Sequence, residues 1–222
     1  MGSWGRGNKE NRKNNQKMPS LAKYFREQNR PYLLPMPEAE VYLVSEFIPP
    51  GEEPALRQAL QEQVAWRQEQ ITLFGRKIDQ PRLTAWYADP GKAYTYSGLT
   101  WQPLPWLPVL SRLRERLQLF TGVPFNSVLL NLYRHGQDSM GWHSDDEPEL
   151  GQNPVIASVS VGAERVFSFR HKKEKKLKQQ VLLPSGSLLL MAGATQHHWQ
   201  HQLAKTARVA EPRINLTFRY IA

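Results

Sequence analysis

Arg213-Ile214-Asn215-Leu216-Thr217-Phe218-Arg219 is the stretch on which the reading of the fold turns. Side chains alternate faces along a strand. Ile214, Leu216 and Phe218 then share an apolar face, and Arg213, Asn215, Thr217 and Arg219 share a polar one. The polar face can lie in water, as in an ordinary surface strand. It can also line the inside of a barrel, where two guanidinium groups must find anions. Arginine forks match carboxylates through paired hydrogen bonds, so a small dicarboxylate could satisfy both. Leu130-Asn131-Leu132-Tyr133 repeats the pattern, with Asn131 and Tyr133 on one face as neutral hydrogen-bonding partners.

Working outward, short strand-like runs fall at 127–134, 155–161, 165–170, 179–183, 187–192 and 213–221, separated by Gly, Pro, Asn and Ser. Upstream the period is helical. Leu56, Leu60 and Val64 predict a helix over 54–66. Leu110, Leu113, Leu117 and Phe120 predict another over 108–120, with Gly122 as its stop signal. Two helices followed by many short strands predict a mainly β chain with flanking helices (α+β), a helix-buttressed sandwich or barrel. No internal repeat is present.

The 222 residues suit one domain with a tail. No apolar run approaches the roughly 18 residues of a membrane span, and the polar, basic N-terminus has no apolar signal region. The chain has no cysteine, which excludes a disulfide scaffold, a thiolate zinc site, an iron–sulfur cluster and a cysteine nucleophile. An intracellular home is expected: nucleus in a eukaryote, cytoplasm or nucleoid in a bacterium. Of the net charge of +9, residues 1–30 carry +6, from eight Lys/Arg and two Glu. This tail is Asn- and Gly-rich and is expected to be disordered, with residues 31–222 forming a single domain. Within the tail, Leu21, Tyr24 and Phe25 in segment 18–25 have the spacing of peptides that bind sliding clamps, although Met18 stands where such peptides carry Gln. The same island could instead anchor on the body. A second basic run, Arg170 to Lys178, reads as a hairpin tip, either a solvated loop or a contact for nucleic-acid phosphates.

His143-Ser144-Asp145 places an imidazole and a carboxylate two residues apart, on one side of an extended segment. His197, His198 and His201 are candidates for a third ligand. Two His and one carboxylate leave open positions on a metal and suit Fe(II). His197 and His201 on one helix would form a rival pair.

Together these residues resemble the AlkB family of Fe(II)/2-oxoglutarate dioxygenases, in the branch that repairs alkylated bases in duplex DNA. The resemblance spans about residues 70–222. It rests on Leu130–Tyr133, Gly141-Trp142-His143-Ser144-Asp145-Asp146-Glu147, Ile156–Ala163, Phe167–Lys172, Gly186–Met191 and Pro212–Arg219, in that order. It implies a double-stranded β-helix (jelly roll) over about 125–222, with an N-terminal helical and nucleotide-recognition lid, the recognition part at about 70–100. His143, Asp145 and His201 would hold iron, His201 lying twelve residues before Arg213 as in the family. Arg213 would lie by the inner carboxylate of 2-oxoglutarate near the metal. Arg219 would pair with the distal carboxylate, helped by Asn131 and Tyr133, with Asn215 on the same wall. Tyr94, Tyr96 and Ser97 match the base pocket, and Asp146 and Glu147 match acidic residues near the base's amine. Phe74, in Leu73-Phe74-Gly75, matches a finger that fills the gap left by an extruded base. Arg82 matches a DNA-contacting arginine.

The resemblance further implies a protein that takes Fe(II), 2-oxoglutarate and O2 and binds alkylated DNA; a monomer is the default expectation, and the lack of a long apolar run predicts no membrane partner. It would remove methyl groups from 1-methyladenine and 3-methylcytosine as formaldehyde. Rivals are the same chemistry on RNA or single-stranded DNA, a 2-oxoglutarate oxygenase acting on protein or a small molecule, and a non-enzymatic nucleic-acid binder on an oxygenase scaffold. The chain departs from the duplex branch at Thr206, Ala207 and Arg208, which replace a basic triplet, and in a shorter loop at 171–178.

Overall fold

The computed structural model describes residues 31–73, 76–92, 94–96 and 99–222. In chain order the elements are β1 (Tyr32–Leu33), β2 (Glu40–Val44), α1 (Glu53–Gln63), β3 (Gln70–Leu73), β4 (Arg76–Asp79), β5 (Leu83–Ala88), β6 (Tyr94–Tyr96), β7 (Leu99–Trp101), α2 (Pro108–Thr121), β8 (Ser127–Tyr133), β9 (Met140–His143), β10 (Ile156–Gly162), β11 (Arg165–His171), β12 (Lys178–Leu183), β13 (Leu188–Ala192), α3 (Thr195–His198), β14 (Trp199–Leu203) and β15 (Arg213–Arg219). A seven-stranded antiparallel sheet has the order β1-β2-β13-β10-β15-β8-β5, and a four-stranded sheet the order β12-β11-β14-β9. Facing each other, they make the expected jelly roll. No helix among the described residues is long and apolar enough to cross a membrane.

Both predicted helices form. Pro54 and Pro108 open them at positions where a missing N–H costs nothing. α1 stops at Gln63, earlier than its apolar period suggests, because Val64 already has extended backbone (ψ 132°). α2 ends on Gly122 in the left-handed region (φ 73°), which a residue without Cβ adopts freely. The helices cover the outer face of the large sheet. Leu60, Leu110, Leu113 and Leu117 pack there with Val128, Leu130, Val159, Ile214, Leu216 and Phe218. Each such side chain contributes roughly 1.5–3 kcal/mol on burial.

Strand alternation then sends the opposite residues between the sheets. One part of that interior is apolar, with Trp86, Leu129, Ile156, Leu189, Phe169 and Trp199. Another part is polar, and β15 supplies most of it: Arg213, Asn215, Thr217 and Arg219 are all buried. The water-facing alternative for this strand is thereby excluded. The basic run 170–178 does turn between β11 and β12. Inside the stretch expected as a recognition lid, β3 and β4 form one hairpin and β6 and β7 another. β5, however, belongs to the large sheet, pairing along β8.

Candidate active site

Two strands and one loop bring the candidate ligands together. β9 and β14 pair so that His143 stands opposite His201, and alternation points both rings between the sheets. Their centroids are 4.2 Å apart. Asp145 follows two residues after the end of β9 and is 1% exposed. Its two carboxylate oxygens each lie 4.0 Å from one Nε2, Oδ1 from His143 and Oδ2 from His201. The three ligand atoms all fall within 4.8 Å of one another. The His143 Nδ1 is 2.9 Å from the Gly141 carbonyl. A carbonyl only accepts, so Nδ1 donates there and Nε2 is the ring nitrogen that faces Asp145.

Electrostatics set the protonation states. Burial alone would raise the Asp145 carboxyl, but the charges of Arg219, His201 and His143 outweigh it and bring it down to about 2. Burial, aided by the neighbouring His143, pushes His201 down to about 3. At neutral pH the group is therefore a carboxylate beside a neutral His201 imidazole. Phe167 stacks on the His201 ring at 5.3 Å and fixes its plane.

The two arginines of β15 take the opposite ends from those the resemblance implied. Arg219 Nη2 donates to Asp145 Oδ1 at 2.8 Å, so Arg219 is the arginine at the metal end. Register places Arg213 opposite Tyr133, and Asn215 opposite Asn131. Of the two neutral partners, Tyr133 thus belongs with Arg213, whose guanidinium lies 5.5 Å from the Tyr133 ring centroid. Arg213 is 2% exposed, and burial pushes its pKa down to about 10. Its Nη2 donates to Ser160 Oγ at 2.9 Å, while its Nε has no hydrogen-bond partner. Among the described residues no carboxylate forms an ion pair with it. Asn215 Nδ2 donates to Ser158 Oγ at 2.7 Å and Asn215 Oδ1 accepts from Thr217. Asn131, Tyr133, His143, Asp145, Asn215 and Arg219 line one common cavity.

A family model described as the 2OG-Fe(II) oxygenase superfamily matches residues 40–219. Alpha-ketoglutarate-dependent dioxygenase alkB homolog 3 of Homo sapiens is 42% identical over 198 residues, which cover 85% of this chain and 68% of that protein. The chain belongs to the AlkB family of 2OG-Fe(II) oxygenases. DNA oxidative demethylase ALKBH2 of Bos taurus is 49% identical over 158 residues, 68% of this chain and 57% of that one. The chain thus spans between 57% and 68% of the length of these two relatives. The solved structure of OsALKBH1 superposes with a TM-score of 0.56 over 86% of this chain and all of that one, at 16% identity, and shows the shared fold.

AlkB-family dioxygenases use Fe(II), 2-oxoglutarate and O2, and the residues here fit that set. Two imidazoles and one carboxylate are the donor set for a non-haem Fe(II) with open positions. The buried Arg213 guanidinium, lacking an anionic partner, is what a distal carboxylate would satisfy. An unpaired buried cation costs several kcal/mol.

A second group of metal-type side chains, Glu38, His171 and His198, also falls within 4.8 Å. Its hydrogen bonds exclude the ligand role at His171. The Glu174 N–H donates to His171 Nδ1 at 2.9 Å, so the neutral ring carries its proton on Nε2. That proton points at Glu38 Oε2, 3.2 Å away. The group is a hydrogen-bonded tie between the turn before β2 and the β11–β12 hairpin. His197 is exposed and joins neither group. The rival helical pair fails because α3 ends at His198 and His201 lies in β14.

The expected base-contacting residues fall as follows. Arg82, expected to face DNA, is instead 5% exposed. Its Nε donates to Asn131 Oδ1 at 2.8 Å, because β5 lies against β8 with Thr84 opposite Asn131. Asp146 is exposed and accepts from Lys172 Nζ at 3.0 Å. Glu147 is half-buried at the start of a short 3-10 turn. Tyr94 and Tyr96 lie in β6, opposite Trp101 and Leu99. Phe74 and Ser97 lie outside the described residues.

Sequence reasoning missed Gln196, a fully buried residue whose Oε1 accepts the Asp145 backbone N–H at 2.9 Å. Nothing in the run Ala194-Thr195-Gln196-His197-His198 distinguishes this glutamine from a surface one.

Proposed function

We propose that this protein oxidatively removes methyl groups from the ring nitrogens of DNA bases, 1-methyladenine and 3-methylcytosine foremost. The observation that carries the reading is the meeting of His143, Asp145 and His201 in one cavity with Arg219, Asn131 and Asn215, and with the unpaired Arg213 behind Tyr133. Bound iron and 2-oxoglutarate supply oxygen activation, with the keto acid leaving as succinate and carbon dioxide and the methyl group as formaldehyde. The chain's own residues hold and orient these groups. Neutral His201 and ionised Asp145 present lone pairs without first losing protons, and His143 Nε2 faces the same point. Arg213 beside Tyr133 would hold the distal carboxylate, with Asn131 lining the same cavity. Arg219 secures Asp145 and adds positive charge at the metal end. The aromatic residues Phe167 and Phe169 wall His201 from solvent.

A nucleic-acid substrate is supported by the relatives, one of which is a DNA oxidative demethylase by name, and by the lysine-rich hairpin 172–178. Duplex DNA is the preferred form in this reading. Phe74-Gly75 falls in sequence between the paired strands β3 and β4, and an apolar wedge helps fill a gapped duplex and adds little in a single strand. Segment 18–25 as a sliding-clamp ligand, the monomeric state and an intracellular home, nuclear in a eukaryote, complete the proposal. The test is formaldehyde release from paired and unpaired oligonucleotides bearing each lesion, with wild type and Phe74→Ala. The proposal expects turnover on both forms and a selective loss on duplex for the variant. No turnover on any methylated oligonucleotide, alongside normal uncoupled succinate formation, would point to a protein or small-molecule substrate.

A further inference from the structure

Asp145 sits beyond the end of β9, where no sheet ladder holds its backbone. Its N–H is nonetheless buried, and a buried N–H left unmet costs about 1–3 kcal/mol. Gln196 meets it. The side chain comes from α3, 51 positions away in sequence, and is 1% exposed. A buried amide is costly unless its groups are bonded, and Gln196 uses each of its polar ends. Oε1 accepts from Asp145, Nε2 contacts Met191 Sδ at 3.7 Å, and the backbone carbonyl accepts from Lys172 Nζ at 2.7 Å. Lys172 reaches Asp146 as well. Ser144 Oγ donates to the Trp199 carbonyl at 3.0 Å, so the loop from His143 to Asp146 is tied to the α3 turn at three successive residues.

We infer that Gln196 is a positioning residue for the metal carboxylate: it fixes the Asp145 backbone so that both carboxylate oxygens lie between His143 and His201. Arg219 holds one carboxylate oxygen, and Gln196 holds the peptide from which the side chain projects. The two constraints together leave the carboxylate one orientation. Removing such an outer partner typically lowers metal affinity by about 10–100-fold.

The inference rests on the metal assignment above, so the test separates the two. Mn(II) is titrated into metal-free full-length protein, and free Mn(II) is followed by electron paramagnetic resonance, with thermal unfolding of each metal-free variant in parallel. Wild type binds and Asp145→Ala does not; binding by both would refute the metal assignment itself. Gln196→Met, which removes the acceptor at similar volume, binds about 10–100-fold more weakly. Gln196→Glu, which keeps an oxygen at the same reach, recovers more than half of that loss on a logarithmic scale. If Gln196→Met does not fold, Gln196→Asn, whose amide stops one methylene short, shows the same weakening. Wild-type affinity in the folded acceptor-deficient variant, or equal losses in it and Gln196→Glu, overturns the inference, because packing alone would then explain the residue.

Discussion

Replacing Arg219 by Met in the metal-free protein isolates the interaction that defines the metal end of the cavity. Arg219 is 5% exposed and Asp145 1% exposed, and their side chains meet at 2.8 Å. This is a buried ion pair, so cutting one member strands the other. Burial by itself drives the Asp145 carboxyl upward, and Arg219 is the largest influence opposing it. The expected cost is roughly 3–5 kcal/mol, as for other buried pairs broken on one side. In a chain of this size that lowers the melting temperature by about 6–20 °C. Calorimetry on wild type, Arg219→Met, Asp145→Asn and the double variant gives the coupling. The double variant should be more stable than the sum of the singles by about 0.5–3 kcal/mol, since it leaves no stranded charge. Mn(II) should stabilise Arg219→Met more than wild type, because a cation at the same carboxylate replaces the missing guanidinium. A loss below about 1 kcal/mol, the range of a surface pair, or a strictly additive double variant, would refute the assignment of Arg219 to this end.

Arg213→Met should raise the 2-oxoglutarate concentration required for half-maximal succinate formation at least about tenfold, equivalent to about 1.4 kcal/mol, with Mn(II) affinity unchanged; an unchanged requirement would remove Arg213 from the pocket. The pH dependence of metal-free stability follows from His201 and Asp145. His201 refuses a proton until about pH 3, whereas an exposed histidine accepts one near 6.5. As pH falls through 6.5 the unfolded chain therefore binds more protons, and stability declines down to about pH 3. Asp145, held at about 2 against an ordinary 3.8, contributes stability above 3.8 that is lost as pH falls from there towards 2. Urea midpoints between pH 7 and 3 should slope downward in wild type and less steeply in His201→Asn; parallel slopes would show that His201 is not the group responsible.

Much of the fold was legible because alternation and helical period are local. The apolar face of β15, the stripes of α1 and α2, and Gly122 as a stop each depend on a few neighbouring residues. The His143–Asp145 pair was legible for the same reason. The third ligand was not fixed by the local pattern alone, because nothing in it shows that His197 and His198 close the short helix α3 while His201 lies in β14. Pairing of β14 with β9 decides for His201. The resemblance gives the two arginines the opposite ends from those the structure shows. Alternation tells which face Arg213 and Arg219 share, but not which of them meets Asp145, a matter of how a loop 74 residues away in sequence crosses β15. Arg82 follows a proline and matches a DNA-contacting arginine only through the resemblance. Its burial depends on β5 joining the edge of the large sheet, a long-range pairing with β8. Gln196 was invisible because its role lies entirely in a distant backbone N–H.

The most direct measurement is the weak visible absorption formed when Fe(II) and 2-oxoglutarate are added together, without oxygen, to metal-free protein. The band should appear in wild type only when both are present, and should be absent in folded Asp145→Ala and His201→Ala. A band of undiminished intensity in either variant, or none in folded wild type, would contradict the assignment of iron to His143, Asp145 and His201.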